Sequence, residues 1–122
     1  MKRNLDLVRE ILLWMEAQPE GQNVAWKIQI DGFTDEEIGY HAYLMHQAGL
    51  IIATDATFLE SHSPHWIPTM LTWQGHEFLS AAKDDTVWAK AKKDVIKPAL
   101  GATYTVILEW LKAEAKARLG LP

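Results

Sequence analysis

The sequence predicts an α+β domain of the winged-helix type, built from a small three-stranded antiparallel sheet and about five helices. Three observations lead to this prediction. Residues 34–49 have the pattern of a capped helix that ends at a glycine. Residues 50–58 and 65–71 are extended runs with a polar tip between them. Residues 72–82 return to a helical pattern, and the order helix, hairpin, helix is typical of the back half of a winged-helix domain.

The N-terminal segment predicts an amphipathic helix over residues 4–17. Asn4 is a favourable N-cap residue, and Asp6 lies in the first turn, where the helix dipole favours an acid. Pro19 and Gly21 end the helical pattern. The apolar face is made of residues at helical spacing, among them Leu5, Val8, Leu12 and Met15.

The next run predicts a strand rather than a helix. Residues 24–30 alternate between apolar and polar side chains, which is the two-residue period of a half-buried strand. Asp31 and Gly32 then form a turn. Winged-helix regulators commonly use this part of the chain for the first helix of the helix-turn-helix. We therefore expect that helix to be absent or reduced to a turn, and the strand to be the third member of the sheet.

Residues 34–49 predict the central helix. Thr34 and Glu37 have the spacing of a capping box, in which each side chain accepts a hydrogen bond from the other residue's backbone N–H. Gly49 supplies the left-handed residue that ends the helix. His41 falls on the inner face and is expected to be hydrogen-bonded in the core. The outer face carries Glu36, Tyr40, Tyr43 and Gln47 at spacings of four, three and four.

The C-terminal part of the chain predicts three further helices. Thr72 can cap the first, which runs to about residue 82. A basic helix follows at about residues 86–97, and an amphipathic one at about residues 104–118. The expected organisation is a single domain over residues 1–122, with its core at about 4–82 and a helical extension at about 84–119.

Composition excludes several functional classes. The chain has no cysteine, so it has no disulfide, no thiolate metal site and no thiol nucleophile. No run approaches the roughly 18 apolar residues of a membrane span, so no membrane association is expected. The first ten residues contain acids and no apolar run of their own, which is unlike a signal peptide. We expect a cytoplasmic protein.

No arrangement of residues predicts catalysis or metal binding. The sequence lacks a nucleophile elbow, a phosphate-binding glycine loop and an HExxH motif. Ser61 and Ser63 lie beside His62 and His65, but adjacency in a loop does not orient a base as a triad requires. Asp55 and Glu60 lie near the same histidines in sequence, but no pair has the i,i+4 helical spacing of a zinc site and the chain has no cysteine. We expect no enzyme, no cofactor and no metal.

Three segments together resemble one family of bacterial and prophage proteins, the domain-of-unknown-function family two-five-one-three. They are KRNLDLVREILL at residues 2–13, YHAYLMHQAGLI at residues 40–51 and LTWQGHEFLSAAKDDTVWAKAK at residues 71–92. Asn4 stands where the family more often has Asp, which is a conservative change for a helix cap. The resemblance implies a small winged-helix-like protein, often encoded in prophage gene sets. It carries over no catalytic residues.

The outer face of the central helix is the candidate binding surface. Tyr40 and Tyr43 are expected to be exposed there, and the start of the second hairpin strand extends the patch. Tyr and Trp are favoured at the centres of interfaces. The alternative is that the two tyrosine rings only cover the neighbouring strand. The candidate partner-binding residues are Glu36, Tyr40, Tyr43, Gln47, His65 and Trp66.

Charge separates the two functions that the fold allows. Between Ile28 and Ala82 there is no Lys or Arg, whereas the same stretch has seven acids. DNA affinity comes largely from basic residues that neutralise phosphates, so specific DNA binding through the central helix is not expected. A protein-interaction or regulatory adaptor role with an unidentified protein partner ranks first, and a winged-helix transcriptional regulator is the alternative. Weak nucleic-acid candidates are Lys90, Lys92, Lys93 and Lys97.

The C-terminal helix at residues 104–118 raises the question of self-association. A helix of this length is marginal alone and needs a packed apolar face. Its stripe either packs within the same chain, on the first helix, or pairs with a second copy as a homodimer. The stripe consists of Tyr104, Ile107, Leu108, Leu111 and Ala115.

Overall fold

The computed structural model describes residues 1–19, 28–97 and 104–120 of the chain. The described part is α+β, with five α-helices, one π-helical turn and one two-stranded antiparallel sheet. The elements in chain order are α1 (Leu5–Glu16), α2 (Asp35–Gln47), β1 (Ile51–Asp55), β2 (Trp66–Leu71), α3 (Trp73–Ala82), α4 (Asp85–Ala91), the π-helical turn (Lys92–Ile96) and α5 (Tyr104–Arg118).

The chain divides into two compact units, Met1–His76 and Glu77–Pro122. The first unit contains α1, α2, the hairpin and the first turn of α3. The second unit contains the rest of α3, α4, the π-helical turn and α5. The division falls inside α3, a few residues before the end of the core expected from the sequence.

The predicted caps fix the starts of α1 and α2. The Asn4 side-chain oxygen accepts hydrogen bonds from the backbone N–H groups of Asp6 and Leu7, at 2.9 and 3.3 Å. Thr34 and Glu37 form the complete capping box, with distances of 3.1 Å in one direction and 3.0 Å in the other. Because these bonds satisfy N–H groups that a helix start leaves open, both helices begin where the sequence predicts.

The Thr72 hydroxyl connects the end of α2 to the start of α3 by hydrogen bonds to backbone groups. Gly49 has a φ of 79°, the left-handed conformation that glycine adopts without strain. Thr72 donates its hydroxyl hydrogen to the Gly49 carbonyl, and the same oxygen accepts the N–H of Gly75 at 3.0 Å. A Cβ at Gly75 would collide with the backbone carbonyl oxygen of Leu50. Gly75 is therefore required for α3 to start this close to the strand.

The two strands pair as the hairpin pattern predicts, with one irregularity. Ile52 pairs with Met70 but Ala53 pairs with Pro68, so Thr69 is the extra residue of a β-bulge. The Thr69 hydroxyl donates to the Ile52 carbonyl at 2.8 Å and helps to hold the bulge. A bulge also suits Pro68, because proline has no N–H to contribute to a regular ladder.

His41 ties α1 to α2 inside the first unit. Its ring is almost fully buried, at 1 % exposure. Nε2 accepts a hydrogen bond from the Asn4 backbone N–H at 2.8 Å, so Nδ1 carries the hydrogen and donates to the Glu37 carbonyl at 2.8 Å. The prediction of a hydrogen-bonded core histidine is confirmed. The surrounding apolar core includes Leu7, Ile11, Leu12, Ile38, Met45, Leu50 and Ile51.

The second unit is a small helical core held by rings and ion pairs. Phe78 of α3 and Trp88 of α4 are buried and meet edge to face, with ring centroids 6.3 Å apart. Ile107 and Leu111 of α5 are buried, and α5 contacts both α4 and the π-helical turn. Lys90 Nζ lies 2.9 Å from Glu114 Oε1 on the surface of this unit. The apolar stripe of α5 is thus covered within its own chain.

Two predictions about elements need correction. The basic helix expected at residues 86–97 is α-helical only as far as Ala91 and continues as the π-helical turn, whose wider hydrogen-bonding pattern takes in Lys92–Ile96. The sheet has two strands among the described residues rather than three. Residues 24–27 of the predicted third strand lie outside the described residues, and residues 28–30 have no regular secondary structure.

Candidate functional site

The predicted binding residues lie on one face of the first unit, where α2 meets the start of β2. Glu36 and Gln47 are exposed. The four rings among the candidates, those of Tyr40, Tyr43, His65 and Trp66, are half-buried. The expectation that Tyr40 and Tyr43 are exposed is therefore wrong in degree, since neighbouring rings cover part of each one.

Four rings form a continuous aromatic band on this face: Tyr40, Tyr43, His46 and Trp66. The ring centroids of Tyr40 and Tyr43 are 6.2 Å apart, and those of Tyr43 and Trp66 are 5.6 Å apart. His46 lies 5.0 Å from Trp66, with the two ring planes inclined by 35°. Offset and tilted pairs at these distances attract beyond the burial of their area. The band is thus a pre-formed surface rather than a set of independent side chains.

His46 is the member of the band that the sequence reasoning missed. It lies three residues after Tyr43, and residues three apart in a helix are neighbours on its surface. Its Nδ1 accepts a hydrogen bond from the Ala53 backbone N–H at 3.2 Å, which attaches α2 to β1. Gln47 Nε2 in turn donates to the Tyr43 hydroxyl at 2.9 Å. These bonds hold both ends of the Tyr43–His46 turn in place.

The His65 ring packs against α2 at Gly39, where the helix has no side chain. A Cβ at Gly39 would overlap the His65 ring, so the ring rests directly on the helix backbone. Thr57 fixes the backbone of the same residue: its hydroxyl oxygen accepts the His65 N–H at 2.9 Å. Ala56 donates its N–H to the His65 carbonyl, also at 2.9 Å. Glycine inside a helix lowers helix stability by about 1 kcal/mol relative to alanine. At position 39 it leaves the space in which the His65 ring packs.

A pocket of about 380 Å³, here called the Trp66 pocket, opens beside the aromatic band. Tyr43 and Trp66 are its aromatic lining residues, and Asp55 is its acidic one. Hydrogen bonds from Thr57, first from its side chain and then from its backbone N–H, hold the pKa of Asp55 below its ordinary value. The pocket therefore presents an anion next to two aromatic rings. Its other lining residues are Thr57, Ser61, His62, Ser63 and Pro64.

A second pocket of about 300 Å³, here called the Phe58 pocket, lies on the α2 side of the same loop. Its rings are Phe58 and His65, whose centroids are 6.4 Å apart. Phe58 is 60 % exposed, so a face of this ring is available to a ligand. Three carboxylates and the hydroxyl-bearing loop complete the lining: Asp35, Glu36 and Glu60, with Ser61, His62 and Ser63.

The weak nucleic-acid candidates all belong to the second unit. Lys90 is paired with Glu114, and Lys92 also has an interaction partner. Lys93 and Lys97 are exposed. In the part of the chain that the structure describes, no group of three or more His, Cys, Asp or Glu residues is arranged to hold a metal ion. None of the described helices is long and apolar enough to cross a membrane.

The comparisons with known proteins identify the family. Residues 2–101 match the family described as "Hypothetical protein (DUF2513)". An uncharacterised protein of Haemophilus influenzae (strain ATCC 51907 / DSM 11121 / KW20 / Rd) is 40 % identical over 107 residues, which cover 88 % of this chain and 89 % of that protein. No solved structure matches the chain. The chain belongs to the DUF2513 family, which confirms the resemblance seen in its three segments.

Proposed function

We propose that this member of the DUF2513 family is a non-enzymatic protein-interaction module that acts as a regulatory adaptor. Its binding surface is centred on the aromatic band and includes the exposed residues at either side, Glu36 and Gln47. The observation that carries the proposal is the band itself. Four half-buried rings are packed in series and braced by hydrogen bonds, next to a pocket large enough to seat a partner's side chain.

The architecture supports a winged-helix-like arrangement. A capped helix, a hairpin and a further helix follow one another in the first unit, and α2 contacts both strands of the hairpin. The family resemblance implies an association with prophages. We therefore propose an adaptor that is located in the cytoplasm and binds a bacterial protein.

Electrostatics favours a protein partner over DNA. Both pockets beside the band carry carboxylates, and no Lys or Arg occurs between Ile28 and Ala82. A duplex docked on α2 would bring its phosphates towards Asp35 and Glu36 at the helix start. Since affinity for a duplex depends on neutralised phosphates, the winged-helix-like arrangement proposed here does not by itself imply DNA binding through this face.

Site-specific photo-crosslinking tests the proposal in the native host. A photoreactive amino acid replaces Gln47, which is exposed beside Tyr43, and in a matched control it replaces Glu109, which is exposed on α5. We expect one dominant protein adduct from position 47 and none of it from position 109. Tyr43→Ala should abolish the adduct, whereas Tyr43→Phe, which keeps the ring, should retain it. Equal adducts from both positions would contradict the proposal.

A duplex-binding titration separates the adaptor from a transcriptional regulator. We expect weak, sequence-independent binding that disappears as salt rises and that Lys92→Glu/Lys93→Glu removes. Sequence-dependent nanomolar binding that is lost in Tyr40→Ala/Tyr43→Ala would instead establish the regulator.

Self-association through α5 is also part of the proposal, although the stripe that suggested it is covered in the chain. A homodimer would use the exposed face of the helix, which includes Val106. Sedimentation at micromolar concentration tests this: a monomer of 13.9 kDa with α5 intact excludes the dimer.

A further inference from the structure

The two pockets beside the hairpin loop share one chemical character. In the Trp66 pocket, the rings of Tyr43 and Trp66 stand 5.6 Å apart beside the Asp55 carboxyl. In the Phe58 pocket, the rings of Phe58 and His65 stand beside three carboxyls. Each pocket thus combines an aromatic wall with negative charge. Ser61, His62 and Ser63 line both pockets, so the two are neighbours across one short stretch of loop.

An aromatic wall next to a carboxylate is suited to a cationic side chain. A guanidinium or ammonium group is attracted to the face of Trp, Tyr or Phe, and more strongly when an anion can pair with it. Arg is the better fit of the two because its planar group stacks on rings and pairs with a carboxylate through two N–H groups. Among the described residues, no Lys or Arg lines either pocket.

The charge of the whole face points to the same ligand. Seven acids and no Lys or Arg lie between Ile28 and Ala82, so the field around both pockets is negative. Such a field attracts a basic partner and speeds its association, and it repels a polyanion. Asp55 is ionised at neutral pH, as an ordinary aspartate is, and the hydrogen bond from the Thr57 backbone N–H holds its carboxyl in place at 2.9 Å.

We propose that the Trp66 and Phe58 pockets together form a docking site for an arginine- or lysine-containing segment of a partner protein. One cationic side chain enters each pocket, and residues 61–63 contribute to the lining of both. The inference rests on the proposed function and names the chemistry of its partner. The aromatic band provides the apolar contact area, and the carboxylates of the two pockets select a basic segment over a neutral one.

A pair of synthetic peptides tests the site directly. The probe is an acetylated and amidated heptapeptide with three arginines separated by alanine or glycine, and its control has citrulline at the same three positions. Citrulline has nearly the same shape as arginine but no charge. Two-dimensional NMR of the full chain should show saturable shifts at Tyr43, His62, His65 and Trp66 with the arginine peptide, and none with the citrulline peptide.

Three variants place the binding in the pockets. Asp55→Asn and Glu36→Gln each remove one charge from a pocket without changing its shape. Each should lower the affinity for the arginine peptide about fivefold at low salt. Asp31→Asn is the matched control: Asp31 is exposed in the same unit and lines neither pocket. It should leave the affinity unchanged within a factor of two.

The outcomes distinguish this inference from the proposed function. Equal binding of both peptides, or equal weakening by all three variants, would overturn the docking site, because charge would then act only through the net charge of the chain. Shifts without saturation would overturn it as well. If the peptides fail but the crosslink from position 47 still depends on Tyr43, the adaptor function stands and this inference fails. If the peptides bind as expected but that crosslink is absent, the site stands and the adaptor function fails.

Discussion

The two units of this protein use charge in opposite ways. The first unit, Met1–His76, has ten acids and four basic residues, a net charge of −6, while the second, Glu77–Pro122, has six acids and eight basic residues, a net charge of +2. In the second unit charges meet within the unit: Glu114 contacts both Lys90 and Arg118, and Glu77 contacts Lys112. In the first unit, no described Lys or Arg pairs with Asp35, Glu36 or Glu60.

The difference in charge is the reason that the proposed binding surface is assigned to the first unit. Surface charges that form ion pairs within their own unit contribute little to stability, and they are less available to attract a partner protein. Acids that line aromatic pockets and have no basic partner among the described residues create a directed field. The polar groups inside the first unit, by contrast, are satisfied through backbone bonds to His41, His46 and Thr72. The first unit therefore combines a hydrogen-bonded interior with a surplus of acids, which is the combination on which the proposed binding function rests.

The largest expected effect is on the apolar core of the second unit. Phe78→Ala should lower the free energy of unfolding by about 3–5 kcal/mol, because it removes a fully buried ring and leaves a cavity beside Trp88. Hydrogen exchange followed by mass spectrometry should show the loss of protection mainly in α4 and α5. An equal loss of protection in α1 and α2 would mean that the two units unfold as one. The units would then differ in their surface charge but not in their stability.

Two glycines sharpen the comparison inside the first unit. Gly75→Ala should cost about 1–3 kcal/mol, because its Cβ would meet the Leu50 backbone, which cannot move aside. Gly39→Ala should change stability far less: the helix gains about 1 kcal/mol in propensity, and the His65 side chain can turn away. Urea denaturation of both variants measures the difference. A large loss of unfolding free energy in Gly39→Ala would show that the packing of His65 on α2 is important for the stability of the unit.

Acid should weaken the first unit through His41. Burial lowers the pKa of His41 below its ordinary value, while the hydrogen bond to the Glu37 carbonyl and the charge of Glu37 act in the opposite direction. The neutral ring is therefore favoured in the folded state, and the unfolded state binds the proton first as pH falls. The stabilisation is complete above the unfolded pKa of about 6.5 and is lost as pH falls from there towards the lower folded pKa.

Denaturant midpoints between pH 7.5 and pH 5 test this dependence. His41→Gln should be less stable than wild type at pH 7.5, and the gap should narrow on acidification because Gln does not titrate. His62→Gln, at an exposed position, is the control and should keep the wild-type slope. An unchanged slope in His41→Gln would assign the acid sensitivity to another group.

The smallest expected effect is on the ion pairs of the second unit. The hydrogen bond from Lys90, with the charges of Lys90 and Arg118, lowers the pKa of Glu114. Glu114→Gln should therefore lower the melting temperature slightly at low salt, and high salt should erase the difference. A large loss that persists in high salt would show that Glu114 has a packing role.

Local chemistry made much of this fold predictable. The capping box at Thr34, the Asn4 cap and the extent of α5 are confirmed, since each depends on residues within a few positions of one another. The hairpin is confirmed as well, although β1 ends at Asp55, three residues earlier than predicted. The π-helical turn at residues 92–96 was missed, because nothing in KKDVI differs from an ordinary helical sequence.

The candidate site was predictable in its outline and not in its construction. Helical spacing alone placed Tyr40, Tyr43 and Gln47 on one face, and Trp66 followed from the hairpin. The role of His46 depends on where Ala53 comes to lie, and the role of Gly39 depends on where His65 comes to lie. Those pairs are separated by 7 and 26 positions in the chain, and local propensity holds no information about such contacts.

The sequence by itself determined the starts of α1 and α2, the glycine that ends α2, the extent of α5, the hairpin and the absence of basic residues from Ile28 to Ala82, because these depend on neighbouring residues or on composition alone. Only the tertiary structure decided that Asp55, Tyr43 and Trp66 line one pocket, that a bulge accommodates Pro68, and that the Leu50 carbonyl packs against Gly75. The reason is physical. Side-chain pockets and close backbone approaches form when distant segments share one packed volume, and packing selects among arrangements that local rules leave equally open.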